Sequence, residues 1–157
     1  AALAPREARL TGHPNDSVGV ALTACDLLER AQCGAPLDGE LEDYLISLSV
    51  LYRPVVGDSG PDLEELWAGD PKQTPDSLHG RLCTIVRACK AREALDAGEH
   101  PHTGWLAALA SVSHQTVTAA VDSGEIKRVG AGRIDHADAV RWLESRGVPG
   151  IGRRPSK

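Results

Sequence analysis

Residues 103–147 read TGWLAALASVSHQTVTAAVDSGEIKRVGAGRIDHADAVRWLESRG, and this stretch decides how the chain is understood. Trp105 to Ala110 is a short apolar helical segment. Ser111-Val112-Ser113 is a three-residue turn, and His114 to Ser123 is a second short helix. Ser113 is placed to cap that helix, because its hydroxyl oxygen can accept a backbone N–H two or three residues on. Gly124 closes it. A strand–turn–strand signal follows: Glu125-Ile126-Lys127-Arg128-Val129, the tip Gly130-Ala131-Gly132, and the return Arg133-Ile134. Asp135 then caps a last helix, with Val140 and Leu143 inward and Trp142 covering the unit. Thr103 is read as the cap of the first helix. Trp105, Leu106 and Leu109 point to a small core, Val112 and Val117 pack beneath the turn, and Val121 holds the second helix against the first. Ile126, Val129 and Ile134 face the same core.

Helix, three-residue turn and helix is the helix-turn-helix plan, in which the second helix lies in the DNA major groove. The wider pattern resembles the excisionase and MerR-like winged helix-turn-helix domains. The features that carry the resemblance are Ser113, Thr116 and Val117, the Gly124-Glu125 step, the tip Gly130-Ala131-Gly132-Arg133, and Trp142-Leu143. It covers the last third of the chain. The family usually has Gly at the first turn position, where this chain has Ser111. A positive φ there costs a residue with a Cβ about 1 kcal/mol, so either the turn differs or packing tolerates the strain.

The resemblance implies that Ser113, His114, Gln115, Thr116 and Thr118 form the DNA-facing end of the recognition helix. Gln can make paired hydrogen bonds to adenine, and Thr can meet a thymine methyl or a phosphate. The helix has no Lys or Arg, and Asp122 lies near its end. Cationic attraction must therefore come from the wing, where Lys127, Arg128 and Arg133 can reach phosphates or, for Arg133, the minor groove.

Charge supports this division. Residues 1–100 hold nine Lys/Arg and 17 Asp/Glu, a net −8, whereas residues 101–157 hold eight and five, a net +3. A basic nucleic-acid module joined to an acidic partner domain has that signature.

The N-terminal two-thirds reads as helical. Val18, Leu22, Cys25 and Leu28 recur at helical spacing after Asn15-Asp16-Ser17, and Gly34-Ala35-Pro36 closes that helix. A second helix follows Asp38, with Leu41, Tyr44, Leu45, Leu48 and Leu51 on one face, and stops before Pro54. Val55-Val56-Gly57-Asp58-Ser59-Gly60 is a loop, and Pro61 begins a short helix to Trp67 with Asp62, Glu64 and Glu65 near its start. The longest helix runs from about Pro75, behind a Thr74 cap, to Ala97, and Gly98 stops it. Glu99-His100-Pro101-His102 reads as a hinge. With Phe and Met absent, the core is built mainly from Leu, Val, Ile, Ala and Cys.

The fold expected is mainly α: an acidic all-helical domain over residues 1–98, a linker at 99–102, a winged helix-turn-helix with a small β-hairpin over 103–147, and a mobile basic tail at 148–157. Cys25, Cys33, Cys83 and Cys89 form no C-x-x-C pair, so buried, reduced thiols are expected and a structural zinc is not. No cofactor, metal site or catalytic constellation is read. His100 and His102 lack nearby ligands, His114 beside Ser113 lacks a third catalytic member, and the glycines at 130–132 are too few for a phosphate-binding loop. No apolar run approaches the ~20 residues that span a bilayer. AALAPREARL at the start does not read as a signal peptide, so a cytoplasmic, non-enzymatic protein is expected.

These expectations converge on a sequence-specific double-stranded-DNA-binding protein. The reading is a transcription regulator, phage or mobile-element derived, acting as a homodimer through its N-terminal helices. Two alternatives stand beside it. One is an architectural, recombination or phage DNA-packaging recognition factor. The other is an adaptor whose acidic domain binds a protein partner and whose helix-turn-helix is structural.

Overall fold

A computed structural model describes residues 17–56 and 78–151. Six helices occur within them: α1 (Ser17–Cys33), α2 (Leu41–Val56), α3 (Leu78–Asp96), α4 (Thr103–Ala110), α5 (His114–Asp122) and α6 (His136–Ser145). The described chain is mainly helical, and no strand occurs among the described residues. Asn15 and Asp16, residues 57–60 of the expected 55–60 loop, the Pro61–Trp67 segment, and Thr74 with Pro75 lie outside the described residues.

The described residues divide into two compact units. The first comprises 17–28, 37–56 and 78–86, and the second 29–36 and 87–151. The boundary therefore falls inside α1 and α3.

In the first unit, Leu41, Tyr44, Leu45 and Leu48 of α2 are all buried, as their i, i+3, i+4, i+7 spacing requires. Tyr44 keeps a polar handle at the edge of this face, its Oη accepting from Asp38 N at 3.2 Å. Glu42 and Asp43 sit in the first turn of α2, where carboxylates complement the helix dipole. The helix does not stop before Pro54 but runs to Val56, so Val55 and Val56 are helical and not part of the expected loop. Proline so near a C-terminal end removes a single ladder bond, which a helix already formed over three turns can absorb.

The inward stripe of α1 also differs from expectation. Thr23 and Leu27 are buried, while Cys25 is exposed and Leu28 is 36% exposed. The helix is rotated so that a buried threonine takes a place the apolar pattern gave to cysteine. Among the cysteines, only Cys83 and Cys89 are buried, and Cys33 joins Cys25 at the surface.

The second unit is organised around Arg92. This side chain is 2% exposed, and its Nε donates to Ala31 O at 2.9 Å. Beside it, Arg30 donates to Gly34 O at 3.2 Å and pairs with Asp96 and Glu93. Burial pushes the Cys89 thiol up to about 12, against the opposing pull of Arg30 and Arg92, so this cysteine is a packed neutral side chain. Residues 29–36 and 87–98, on the acidic side of the expected domain boundary, thus cluster with the basic C-terminal region.

Gly150 and Ile151, expected in a mobile tail, are half-buried, and residues 152–157 lie outside the described residues. Gly150 adopts φ +71°, and a Cβ there would lie 2.8 Å from Cys33 O. Gly34, with φ +74°, would place a Cβ 2.9 Å from Arg92 Nη1. Gly150→Ala should therefore lower stability by about 2 kcal/mol or more, from left-handed strain plus a backbone clash. Urea denaturation measures this, and an unchanged midpoint would show that residue 150 does not pack against Cys33.

Candidate nucleic-acid interface

Helices α4 and α5, separated by residues 111–113, pack on each other. Leu106, Ala107 and Leu109 of α4 and Val117 and Ala120 of α5 are buried, while Trp105, Val112 and Val121 are half-buried. The turn keeps the left-handed residue that sequence made doubtful. Ser111 has φ 56° and ψ 41°, donates to Ala108 O at 3.2 Å, and is followed by Val112 donating to Ala107 O at 3.0 Å. This is a Schellman closure with serine in the usual glycine place.

Ser113, extended at φ −72° and ψ 155°, caps α5 as expected. Its Oγ accepts from Thr116 N at 3.2 Å and lies 3.0 Å from Thr116 Oγ1. Thr118 Oγ1 donates to His114 O at 3.1 Å. The hydroxyls of Ser113, Thr116 and Thr118 are thus engaged within the helix, and Thr116 and Thr118 are half-buried. His114 and Gln115 are exposed at the positive end of α5 and make no side-chain hydrogen bond among the described residues.

The wing is not a β-hairpin. Residues 125–135 form a loop with two isolated antiparallel bridges, Arg128 to Ile134 and His102 to Arg133. Val129 N donates to Arg133 O at 2.9 Å across Gly130-Ala131-Gly132. A ladder does not extend at Lys127, because its N–H, which the next rung would aim at Asp135 O, bonds Asp138 Oδ2 at 2.8 Å. Ile126 and Ile134 are buried as expected, and Val129 is half-buried.

Thr103 is not the cap of α4. That position is His102, whose side chain makes no capping bond. Thr103 is instead the first helical residue and is buried. Both its N–H and its Oγ1 donate to Gly132 O, each at 2.9 Å, which pins the loop tip to the start of α4. Asp135 caps α6 as expected, accepting from Asp138 N at 3.2 Å. Within α6 Ala139, Trp142 and Leu143 are buried, whereas Val140 is only half-buried.

Lys127, Arg128 and Arg133 are all exposed, yet they are not equivalent. Arg133 Nη1 donates to His100 O at 3.0 Å, so part of this guanidinium is committed to the protein. Lys127 and Arg128 make no ion pair among the described residues. The residues expected as a hinge also carry specific contacts. His100 Nδ1 lies 3.0 Å from His136 N, and Pro101 is buried. The His102 ring meets Trp105 edge-on at 4.6 Å, with Lys90 Nζ 5.4 Å from the centre of the same indole. Burial, with Arg133 and then Lys90 nearby, holds the His102 imidazole below its ordinary value. Burial and Arg87 pull the Lys90 ammonium down to about 8.

Sequence reading missed Lys90 and Asp138. Lys90 interrupts no pattern, being one cation on a mixed-charge helix. Asp138 carried a partial signal, since it stands three residues after a capping Asp. Among the described residues no group of three His, Cys, Asp or Glu could hold a metal ion, and no helix is long and apolar enough to cross a membrane. No protein family, curated protein or solved structure matches the chain.

The left-handed serine carries a consequence for stability. A side chain at such a site is disfavoured by about 1–2 kcal/mol, partly offset in glycine by its larger unfolded-state entropy. Ser111→Gly should stabilise the protein by about 0.5–1 kcal/mol and raise its melting temperature. Ser111→Val should lower it. A lower melting temperature for the glycine variant would contradict the left-handed turn.

Proposed function

We propose that this chain is a double-stranded-DNA-binding protein of the helix-turn-helix type, with α5 entering the major groove and the 127–133 loop resting on the phosphate backbone. The observation that carries this reading is the arrangement around α5. A short helix, capped by Ser113 and anchored through Val117 and Ala120, presents exposed His114 and Gln115 at its positive end, and the same compact unit exposes Lys127 and Arg128. Helix N-termini attract phosphate, and glutamine reads adenine through paired bonds. The likeness of residues 113–143 to the excisionase and MerR-like pattern supports a regulator of transcription as the role.

Binding to random and specific duplexes at several salt concentrations tests the reading. Lys127→Ala or Arg128→Ala should weaken binding to every duplex and lower the salt slope by roughly one. Arg133→Ala should do less, because His100 O already holds that side chain. Gln115→Ala should cost about 1–3 kcal/mol at the specific site and little on random DNA. Duplex affinity that does not fall with salt, or is absent, overturns DNA binding. An unchanged specific-to-random ratio for Gln115→Ala overturns the placement of α5.

The proposal includes a homodimer held through the N-terminal helices. A helix without cations gains from acting in pairs on half-sites about 34–36 Å apart. Leu28 and Ile46 are large apolar residues left exposed in the first unit, and they support such an interface. Sedimentation at micromolar concentration should give a dimer, and a monomer both alone and on DNA refutes it.

A further inference from the structure

Lys127, which stands beside Arg128 in the loop, has both of its backbone polar groups bound at the start of α6. Asp135 caps α6 by accepting from Asp138 N at 3.2 Å. In a reciprocal capping box, the acidic residue at the third helical position turns back to the N–H of the cap residue. Here that N–H is used otherwise, because Asp135 N donates to Lys127 O at 2.8 Å. The carboxylate of Asp138 is correspondingly turned away from the cap, and its Oδ2 accepts from Lys127 N at 2.8 Å. Its Oδ1 is taken by Arg141. The Lys127 N–H and C=O are therefore both fastened to the first turn of α6, while the Lys127 side chain remains exposed.

We propose that Asp138 is a positioning residue for the nucleic-acid contact, fixing through the Lys127 amide the backbone from which Lys127 and Arg128 project. The proposal rests on the DNA-binding reading above, and it makes a prediction whose sign separates it from simple electrostatics. A carboxylate beside two phosphate-seeking cations repels DNA, so charge alone says that its removal tightens binding. Positioning says that losing the acceptor loosens the loop and weakens binding. It also says that asparagine, whose amide oxygen can accept the same bond without the charge, restores it.

The experiment uses the full chain and a random 20-base-pair duplex at about 0.15 M salt, close to physiological screening. Asp138→Ala should weaken binding roughly three- to tenfold and lower the salt slope, as expected when one phosphate contact is lost. Asp138→Asn should bind at least as tightly as the parent. Hydrogen exchange of the Lys127 amide supplies a readout that needs no DNA. Protection should be lost in Asp138→Ala and kept in Asp138→Asn, with the helical amides of α5 protected in both. Asp138→Ala binding as tightly as the parent, or Asp138→Asn binding as weakly as Asp138→Ala, overturns the proposal. If the parent binds no duplex, the DNA-binding reading fails and the nucleic-acid role of Asp138 falls with it. The exchange data then still decide whether Asp138 fixes the loop.

Discussion

The helices of the C-terminal unit are short, and short helices are mostly ends. In α4, with eight residues, the last four carbonyls are half the element, and none has a partner within the helix. The unit resolves this by turning one residue into the left-handed region after each helix: Gly34, Gly98, Ser111, Gly124 and Gly147. After α3, α5 and α6 the two following N–H groups close back in the same Schellman pattern seen at Ser111. Glu99 bonds Ala94, Glu125 bonds Ala120, and Val148 bonds Leu143. Each closure reverses the chain within two residues, which lets successive helices return their apolar faces to one small core. The close approach of α4 and α5 depends on these reversals, as does the exposure of the first turn of α5.

Chemistry is divided between two structures on the same unit. Helix α5 has no Lys or Arg and a single carboxylate, Asp122, and its threonine hydroxyls are used internally. Its outward vocabulary is therefore narrow: an imidazole and a carboxamide. Cations stand on the loop instead, with Lys127 and Arg128 exposed there. On the proposed DNA-binding reading, such a division assigns affinity and specificity to different residues. The loop has no sheet to stiffen it, so its geometry is set by side chains of α4 and α6 that reach across to its carbonyls and amides.

The parts of this arrangement legible from sequence were those fixed within four or five residues. Ser113 and Asp135 as caps, Gly98 and Gly124 as stops, and the α2 face of Leu41, Tyr44, Leu45 and Leu48 each follow from local spacing. The parts that were not legible depend on distant partners. Thr103 has the residue type of a cap, but the carbonyl of Gly132 draws both its donors. The segment 125–134 alternates like a hairpin, yet Asp138 takes the Lys127 N–H that the next rung of a ladder would need. Cys25 fits an apolar period on α1, but Thr23 and Leu27 occupy the inward face. Arg92 could not be found by pattern, because an arginine in a helix is ordinarily exposed, and its burial depends on Ala31 and Gly34 coming from elsewhere in the chain.

The bridge between His102 and Arg133 closes about thirty residues into a ring, with Thr103 and Gly132 as its clasp. Closing a ring of that length is entropically unfavourable, and that loss is recovered only when both ends meet. The turns at Ser111 and Gly124 involve near neighbours and can form early, whereas the clasp must wait for the helices between its ends to dock. Lys127 and Arg128 lie inside this ring. Their placement therefore depends on a long-range closure, whereas the cap and turns that bound α5 depend only on near neighbours.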